Sequence, residues 1–295
     1  MKETSLANRS LSLTLAKFGQ NLLISNFLKS FLTYLILGFY FTLSCSKHGV
    51  AQTVEPLQIP FLVNKPIIDG NLDEWKENAH SDGRWDLDRV KKASWYSSKR
   101  NKLIVDIGED TSIVDLASSY YLAWDHDYLY FGAEVIDNSN DVSESNHDSK
   151  RWYYKDAVAW FIEAPHDTIP EKFMDGNHAF AFIADTAMPD YGAWWRHGTA
   201  TRPCMEQAIP SDAVEFEVLM KKGTSNYTIE VRIDCAKTLG SNPEFQGLKK
   251  GDSYSMMIVH CDPDGGEYGG HLLIYGAGDL DSSWSEIVLV DPRNE

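Results

Sequence analysis

Apolar and polar residues alternate in several stretches of this chain with a period of two. In YLAWDHDYLYFGAEVID, residues 121–137, the Asp125-His126-Asp127 turn separates two arms. On the second arm Leu129, Phe131, Ala133 and Val135 fall on one face, while Tyr128, Tyr130 and Glu134 fall on the other. Successive side chains of a strand point to opposite faces, so this period predicts a half-buried strand of an antiparallel sheet. The pattern returns in AVEFEVLMKKGTSNYTIEVRID (213–234). There Val214, Phe216, Val218 and Met220 alternate with Glu215, Glu217 and Leu219 before a Gly223-Thr224-Ser225-Asn226 turn. On the return arm Tyr227, Ile229, Val231 and Ile233 face inward and Thr228, Glu230, Arg232 and Asp234 face water, which predicts a hairpin.

Five further runs read as strands: 156–164, 178–185, 253–262, 271–276 and 285–291. Several are apolar on both faces, as suits strands in the middle of packed sheets. Helix is scarce. Asn71 is placed to cap a turn at Leu72-Asp73-Glu74, with Glu74 reaching back in a capping box and Trp75 on the apolar side. Another short turn is expected after Asp234, and Ser81 to Ser119 reads as long loops. The expected fold class is all-β: an antiparallel two-sheet β-sandwich with short helical turns. One domain over residues 56–295 is the simplest count, since no second linker or repeat interrupts it.

The N-terminus reads differently. Lys2, Arg9, Lys17 and Lys29 precede an apolar run from Phe31 to Leu43, too short for the roughly 20 residues of a membrane-spanning helix. Residues 1–45 are therefore expected to be an export signal, followed by a linker at 46–55. Two processing routes fit: lipid modification of Cys45 after TLSC, with Thr42 where Leu is usual, or cleavage after Ala51. Either predicts a secreted protein, lipid-anchored in the cell envelope in the first case and free in the second. Beyond residue 45 the chain carries 23 Lys+Arg against 42 Asp+Glu, a formal charge of −19. That balance repels phosphate backbones and anionic headgroups, so nucleic acid is not an expected partner and the membrane is reached only through a lipid anchor. Cys204, Cys235 and Cys261 allow at most one disulfide and have no zinc or haem spacing.

Five segments now stand in a recognisable order: PIIDGNLDEW, YLAWDHDYLYFGAEVID, DAVAWFIEA, YTIEVRIDCAKTLG and SSWSEIVLV. Together, from about Pro66 to Val290, they resemble the family 9 carbohydrate-binding modules of the DOMON-like superfamily. The resemblance implies a DOMON-like jelly roll that holds the end of a plant polysaccharide of xylan or glucan type, often in the company of glycoside hydrolases. It further implies two tryptophans sandwiching the terminal sugar, Trp152 and Trp284 by position. Trp152 sits one residue farther from Asp156 than the family spacing, and Ala159 stands where the family has a sugar-binding glutamate.

An indole flat against a pyranose hides about 100 Å² of ring face, roughly 2.5 kcal/mol; ordering and hydroxyl desolvation reduce this to affinities of about micromolar to millimolar. Arg151, His147, Asn146 and Asp148 share the loop of Trp152 and are candidate hydroxyl partners. Trp194 and Trp195, with Tyr191, Arg196 and His197, form a second aromatic cluster, expected in a loop; Trp194, Trp195 and Arg196 are further candidates for ligand binding in the same cleft, with at least one indole in the core because neighbours in an extended segment point to opposite sides. Trp75, Trp124 and Trp160 are expected in the core. No cofactor is expected apart from a structural calcium. Asp137, Asp141 and Asp148 place hard oxygens at intervals along one loop, as calcium requires, without the glycine of an EF-hand. Rival readings are a b-type haem module using Met256, Met257 and His260, a surface protein-interaction module, and an enzyme with paired carboxylates. No GxSxG, HExxH or Walker-type motif favours the last.

Overall fold

A computed structural model describes residues 55–90, 93–97, 102–104, 116–142, 151–167, 174, 176–185, 192–199, 201–263 and 270–291. The expected export signal with Cys45, the linker up to residue 54, and Asn146, His147 and Asp148 lie outside the described residues. Within them the strands are, in chain order, β1 (Leu57–Pro60), β2 (Arg84–Trp85), β3 (Ser94–Ser97), β4 (Lys102–Ile104), β5 (Ala117–Trp124), β6 (Tyr128–Ile136), β7 (Ala157–Glu163), β8 (Asn177–Ile183), β9 (Ala193–Thr199), β10 (Arg202–Ala208), β11 (Val214–Met220), β12 (Tyr227–Asp234), β13 (Ser253–Cys261), β14 (His271–Ile274) and β15 (Ser285–Val290).

Two sheets result. The smaller runs β11-β12-β6-β5-β2; the larger runs β10-β9-β8-β7-β13-β14-β3-β4, with β15 also on β13 and β1 on β15. Pairing is antiparallel except between β1 and β15. The fold is the predicted two-sheet sandwich, and both patterned hairpins form. Strands β3 and β4 and a helical turn at Leu87–Val90 replace part of the loop expected between Ser81 and Ser119, and β9 is a strand where a loop was expected. Short turns at Leu72–Glu74 and Leu239–Ser241 agree with the expectation.

The core fills the space between the sheets. Leu129, Phe131, Ala133, Val135, Ile229 and Val231 of the smaller sheet meet Val158, Trp160, Ile162, Phe180, Phe182, Met256 and Ile258 of the larger. Phe131 stacks on Trp160 with centroids 5.6 Å apart. Polar groups cross the same space. The Ser118 hydroxyl donates to Tyr120 (2.7 Å), Tyr120 lies 2.7 Å from Nδ1 of His260, and Nε2 of His260 lies 3.1 Å from the Tyr227 hydroxyl. A neutral imidazole satisfies this chain by accepting from Tyr120 and donating to Tyr227, so β5 and β12 are tied to β13.

Glu230 corrects the simple alternation. It points to the outer face of the smaller sheet as expected, yet it is fully buried. The segment from Asp69 to Trp75 folds over it. Its carboxylate accepts from Trp75 Nε1 (2.7 Å) and from the backbone N–H groups of Asp69 (3.0 Å) and Gly70 (2.9 Å). Gly70 is required there, because φ is 82° and a Cβ would lie 2.7 Å from Cβ of Leu219. The Asn71 cap forms, its side chain accepting from Asp73 N–H at 3.2 Å. The capping box does not close, since Glu74 instead accepts from Ile67 N–H at 2.5 Å. Trp75, Trp124 and Trp160 are all buried, as expected.

Burial pushes both His178 and His260 down from 6.5 to about 3. Because the folded values are depressed, the unfolded chain takes up protons first, so stability is intact above about pH 6.5 and falls as the pH drops toward 3. Each imidazole contributes a loss of about 1.4 kcal/mol per pH unit in that window. Burial raises Glu163 and Glu230, which acts in the opposite sense: these carboxyls protonate more readily in the folded state. Thermal unfolding between pH 7 and 5 should show a midpoint that falls with acidification, and a shallower slope in His178→Phe, whose ring still fits the aromatic stack.

Candidate functional site

The large sheet is apolar on its outer face as well. Register aligns Glu206, Arg196, Ala179, Phe161 and Met257 in one row across β10, β9, β8, β7 and β13, and Trp194, Ala181, Ala159, Val259 and Leu273 in the next. Alanines at 157, 159, 179 and 181 leave a shallow trough between the larger side chains. The turn Trp152–Tyr154 folds down onto this floor, and Trp152 joins its apolar cluster at 4 % exposure. Ala159, where the resemblance has glutamate, is completely buried in that floor.

Beside Trp152 opens a cavity of about 590 Å³, with Phe161, Met257, Val259 and Leu273 as its floor. Its sides are Trp152, Tyr153, Tyr154, Arg196 and His271, and the Ala277–Gly278–Asp279 segment closes the far edge. Trp152 meets Phe161 and Tyr153 edge-on at 6.4 and 5.5 Å. The Arg196 guanidinium lies 5.9 Å from its ring and 3.6 Å from Glu206. His271 Nε2 donates to the Tyr153 carbonyl at 3.0 Å, and burial lowers its pKa, so it faces the cavity as a neutral imidazole.

Trp284 belongs to the same cluster but does not line the cavity. It is 7 % exposed, meets Phe161 edge-on at 5.7 Å, and donates its Nε1–H to the Gly278 carbonyl at 2.8 Å. Phe161 therefore touches both indoles, where two exposed, facing rings had been expected. Trp195 is turned to the inner face by the strand alternation of β9. Its ring lies nearly parallel to those of His178 and His197, with centroids 5.8 and 4.1 Å away, and donates to His178 Nδ1 at 3.1 Å, so it is a core residue. Trp194 and Arg196 occupy the outer face of the same strand. Arg151 is exposed, 6.0 Å from the Tyr154 ring, and is not part of the cavity lining.

Asp137, at the end of β6, meets two carboxylates that the loop pattern did not single out. One oxygen each of Asp137, Asp156 and Asp262 lies within 4.8 Å of the others, and all three residues are buried. Asp141 is outside this trio. Its backbone N–H donates to Asp156 at 2.5 Å, and its carboxylate accepts from Ser139 at 3.0 Å. The donor set is all hard oxygen, which suits a divalent cation such as calcium. Asp156 directly follows the Trp152 turn, and Asp262 N–H pairs with the Gly270 carbonyl at 2.9 Å, one residue before His271.

Residues 82–286 match the family described as carbohydrate family 9 binding domain-like. The chain belongs to this family. Among solved structures, a family 9 carbohydrate-binding module from Caldicellulosiruptor kristjanssonii in complex with cellotriose aligns at 14 % identity and a TM-score of 0.52, over 81 % of this chain and 96 % of that one. A family 9 carbohydrate-binding module from the same organism in complex with glucose aligns at 14 % identity and a TM-score of 0.51, over 81 % of this chain and 98 % of that one. No curated protein matches the chain.

In this family 9 domain the residues suggested for haem are otherwise engaged. Both ring nitrogens of His260 lie against tyrosine hydroxyls, and Met256 and Met257 point to opposite faces of β13. Tyr153, Tyr154, Phe161, His271 and Asp279 were not anticipated at the cavity. Phe161 was legible, because it shares the parity of Ala157 and Ala159 on β7. Asp156 and Asp262 could be picked out singly, because each bounds an apolar run at a strand end, but their convergence could not.

Proposed function

We propose that this family 9 domain binds carbohydrate in the outer-face cavity and performs no chemistry on it. Its ligand is the end of a β-linked polysaccharide of glucan or xylan type. The supporting observation is the cavity itself: an apolar, aromatic floor bordered by Arg196, His271 and Asp279, the mixture that a pyranose with apolar C–H faces and hydroxyl edges requires. The cellotriose and glucose bound by the Caldicellulosiruptor module support the ligand class. Trp152 is 4 % exposed and offers only a strip of its ring, so the half-buried Tyr153 and Tyr154 supply much of the accessible aromatic surface. Expected affinities are about micromolar to millimolar, since ordering and desolvation offset the apolar gain.

The basic residues Lys2, Arg9, Lys17 and Lys29, the apolar run from Phe31 to Leu43 and Cys45 support a secreted domain, held at a bacterial surface by a lipid anchor, that keeps polysaccharide close to partner glycoside hydrolases. Asp137, Asp156 and Asp262 hold a structural calcium. Their three carboxylates lie at the ends of β6 and β13 and the start of β7, where a divalent cation offsets their mutual repulsion.

Isothermal titration with cellotriose and xylotriose tests the ligand. Wild type should bind at least one of them, and Trp152→Ala should weaken that binding by about tenfold, because it takes away the cavity side that seats Tyr153 and Tyr154. Absence of binding by wild type to every β-linked gluco- and xylo-oligosaccharide would sink the proposal. For the cation, calcium at about 100 times its dissociation constant should stabilise the fold by about 2.7 kcal/mol. Thermal unfolding with calcium and with chelator should show this shift in wild type and lose it in Asp262→Asn.

A further inference from the structure

The cavity has two unlike walls: the aromatic Trp152–Tyr154 turn and the Ala277–Asp279 rim. The rim exists because β14 and β15 share one side of β13. β14 pairs with Ile258–Cys261 and β15 with Ser253–Met256, so residues 275–284 must leave the sheet between them, beside Met257. The exit is tight. Tyr275 adopts a left-handed backbone (φ 64°), and a Cβ on Gly276 would lie 2.7 Å from the Met257 sulfur.

Hydrogen bonds then hold the rim down. The Tyr275 carbonyl accepts from Ser285 N–H at 2.7 Å, the Ser283 hydroxyl donates to the Leu280 carbonyl at 2.7 Å, and Asn177 donates to Asp281 at 3.1 Å. At the cavity edge itself Trp284 Nε1–H donates to the Gly278 carbonyl at 2.8 Å, shorter than the two bonds of Ser283 Oγ there, which accepts from Ala277 N–H at 3.3 Å and reaches the Gly278 carbonyl at 3.5 Å. A ring that stacks on sugar needs an accessible face, whereas Trp284 is 7 % exposed, sits edge-on to Phe161 and does not line the cavity.

We infer that Trp284 is a positioning residue that fixes the Ala277–Asp279 rim as the cavity's second wall, and that Asp279 on that rim selects the saccharide by accepting from its hydroxyls. This rests on the carbohydrate reading above. Asp279 lines the cavity, and its charge acts on His271, so carboxylate and neutral imidazole border the same space. With Ala159 in place of a floor carboxylate, hydroxyl recognition moves from the floor to the rim.

Conservative variants separate positioning from stacking. Trp284→Phe keeps a ring and removes the N–H donor. Amide hydrogen exchange at residues 277–280 should speed up, and affinity for cellotriose should fall about three- to tenfold, the worth of one net hydrogen bond. Asp279→Asn should weaken binding comparably and leave the exchange unchanged. If Trp284→Phe exchanges and binds like wild type, the positioning role is overturned; if Asp279→Asn binds like wild type, the selecting role is overturned. Should wild type bind no oligosaccharide, the carbohydrate reading fails and the selecting role with it, while exchange at 277–280 still decides whether Trp284 holds the rim.

Discussion

The larger sheet has to bury both of its faces, and the rest of the molecule follows from that requirement. Every residue of β7 and β8 is buried, and so is every residue of β13 after Ser253. One face is covered by the smaller sheet, an ordinary sandwich core. The other has no second sheet among the described residues. It is covered instead by the Trp152–Tyr154 turn and the 275–284 segment, which lie down on alanines, Phe161 and Met257. Two short irregular segments cover a flat face incompletely, and the space left between them is the cavity. Among the described residues the site is thus a consequence of how an apolar sheet is closed over.

Buried polar groups set the positions of these covers with a directionality that apolar contact lacks. Glu230 gathers one indole and two backbone N–H groups, which determines how the Asp69–Trp75 segment crosses the smaller sheet. His260 does the same between the sheets through Tyr120 and Tyr227. Each arrangement is fully satisfied, so it costs little to bury and admits few alternative registers. The consequence is a dependence on protonation state: the imidazoles hold the fold only while neutral.

The architecture was legible because alternation is local. The 121–137 and 213–234 hairpins each carry their own turn and their own two-residue period, so both could be drawn from the chain directly. What was not legible depends on distant partners. Glu230 reads as a solvent residue until Trp75 lies over it, 155 positions away in the chain. Trp195 lay in a stretch whose flanking glycine and proline suggested a loop, yet stacking on His178 and Phe180 makes that stretch a strand and divides Trp194 and Trp195 between its faces. At the site, Trp152 was placed by resemblance, but its neighbours were not. Tyr153 and His271 meet through a carbonyl contact that no spacing encodes, and the convergence of Asp156 and Asp262 requires β7 and β13 to be adjacent.

Ala159 and Trp152 belong to one apolar cluster. A carboxylate at 159 would stand in the trough now occupied by the cluster around the indole, and burying it there without a partner would cost several kcal/mol. Alanine gives the trough the depth that lets Trp152 settle to 4 % exposure. An indole settled in this way contributes to the wall and floor more than to an open platform. On the carbohydrate reading proposed above, recognition falls to groups that stand above the floor: the tyrosines beside Trp152, Arg196 from β9, and the rim that the β14–β15 junction pushes out.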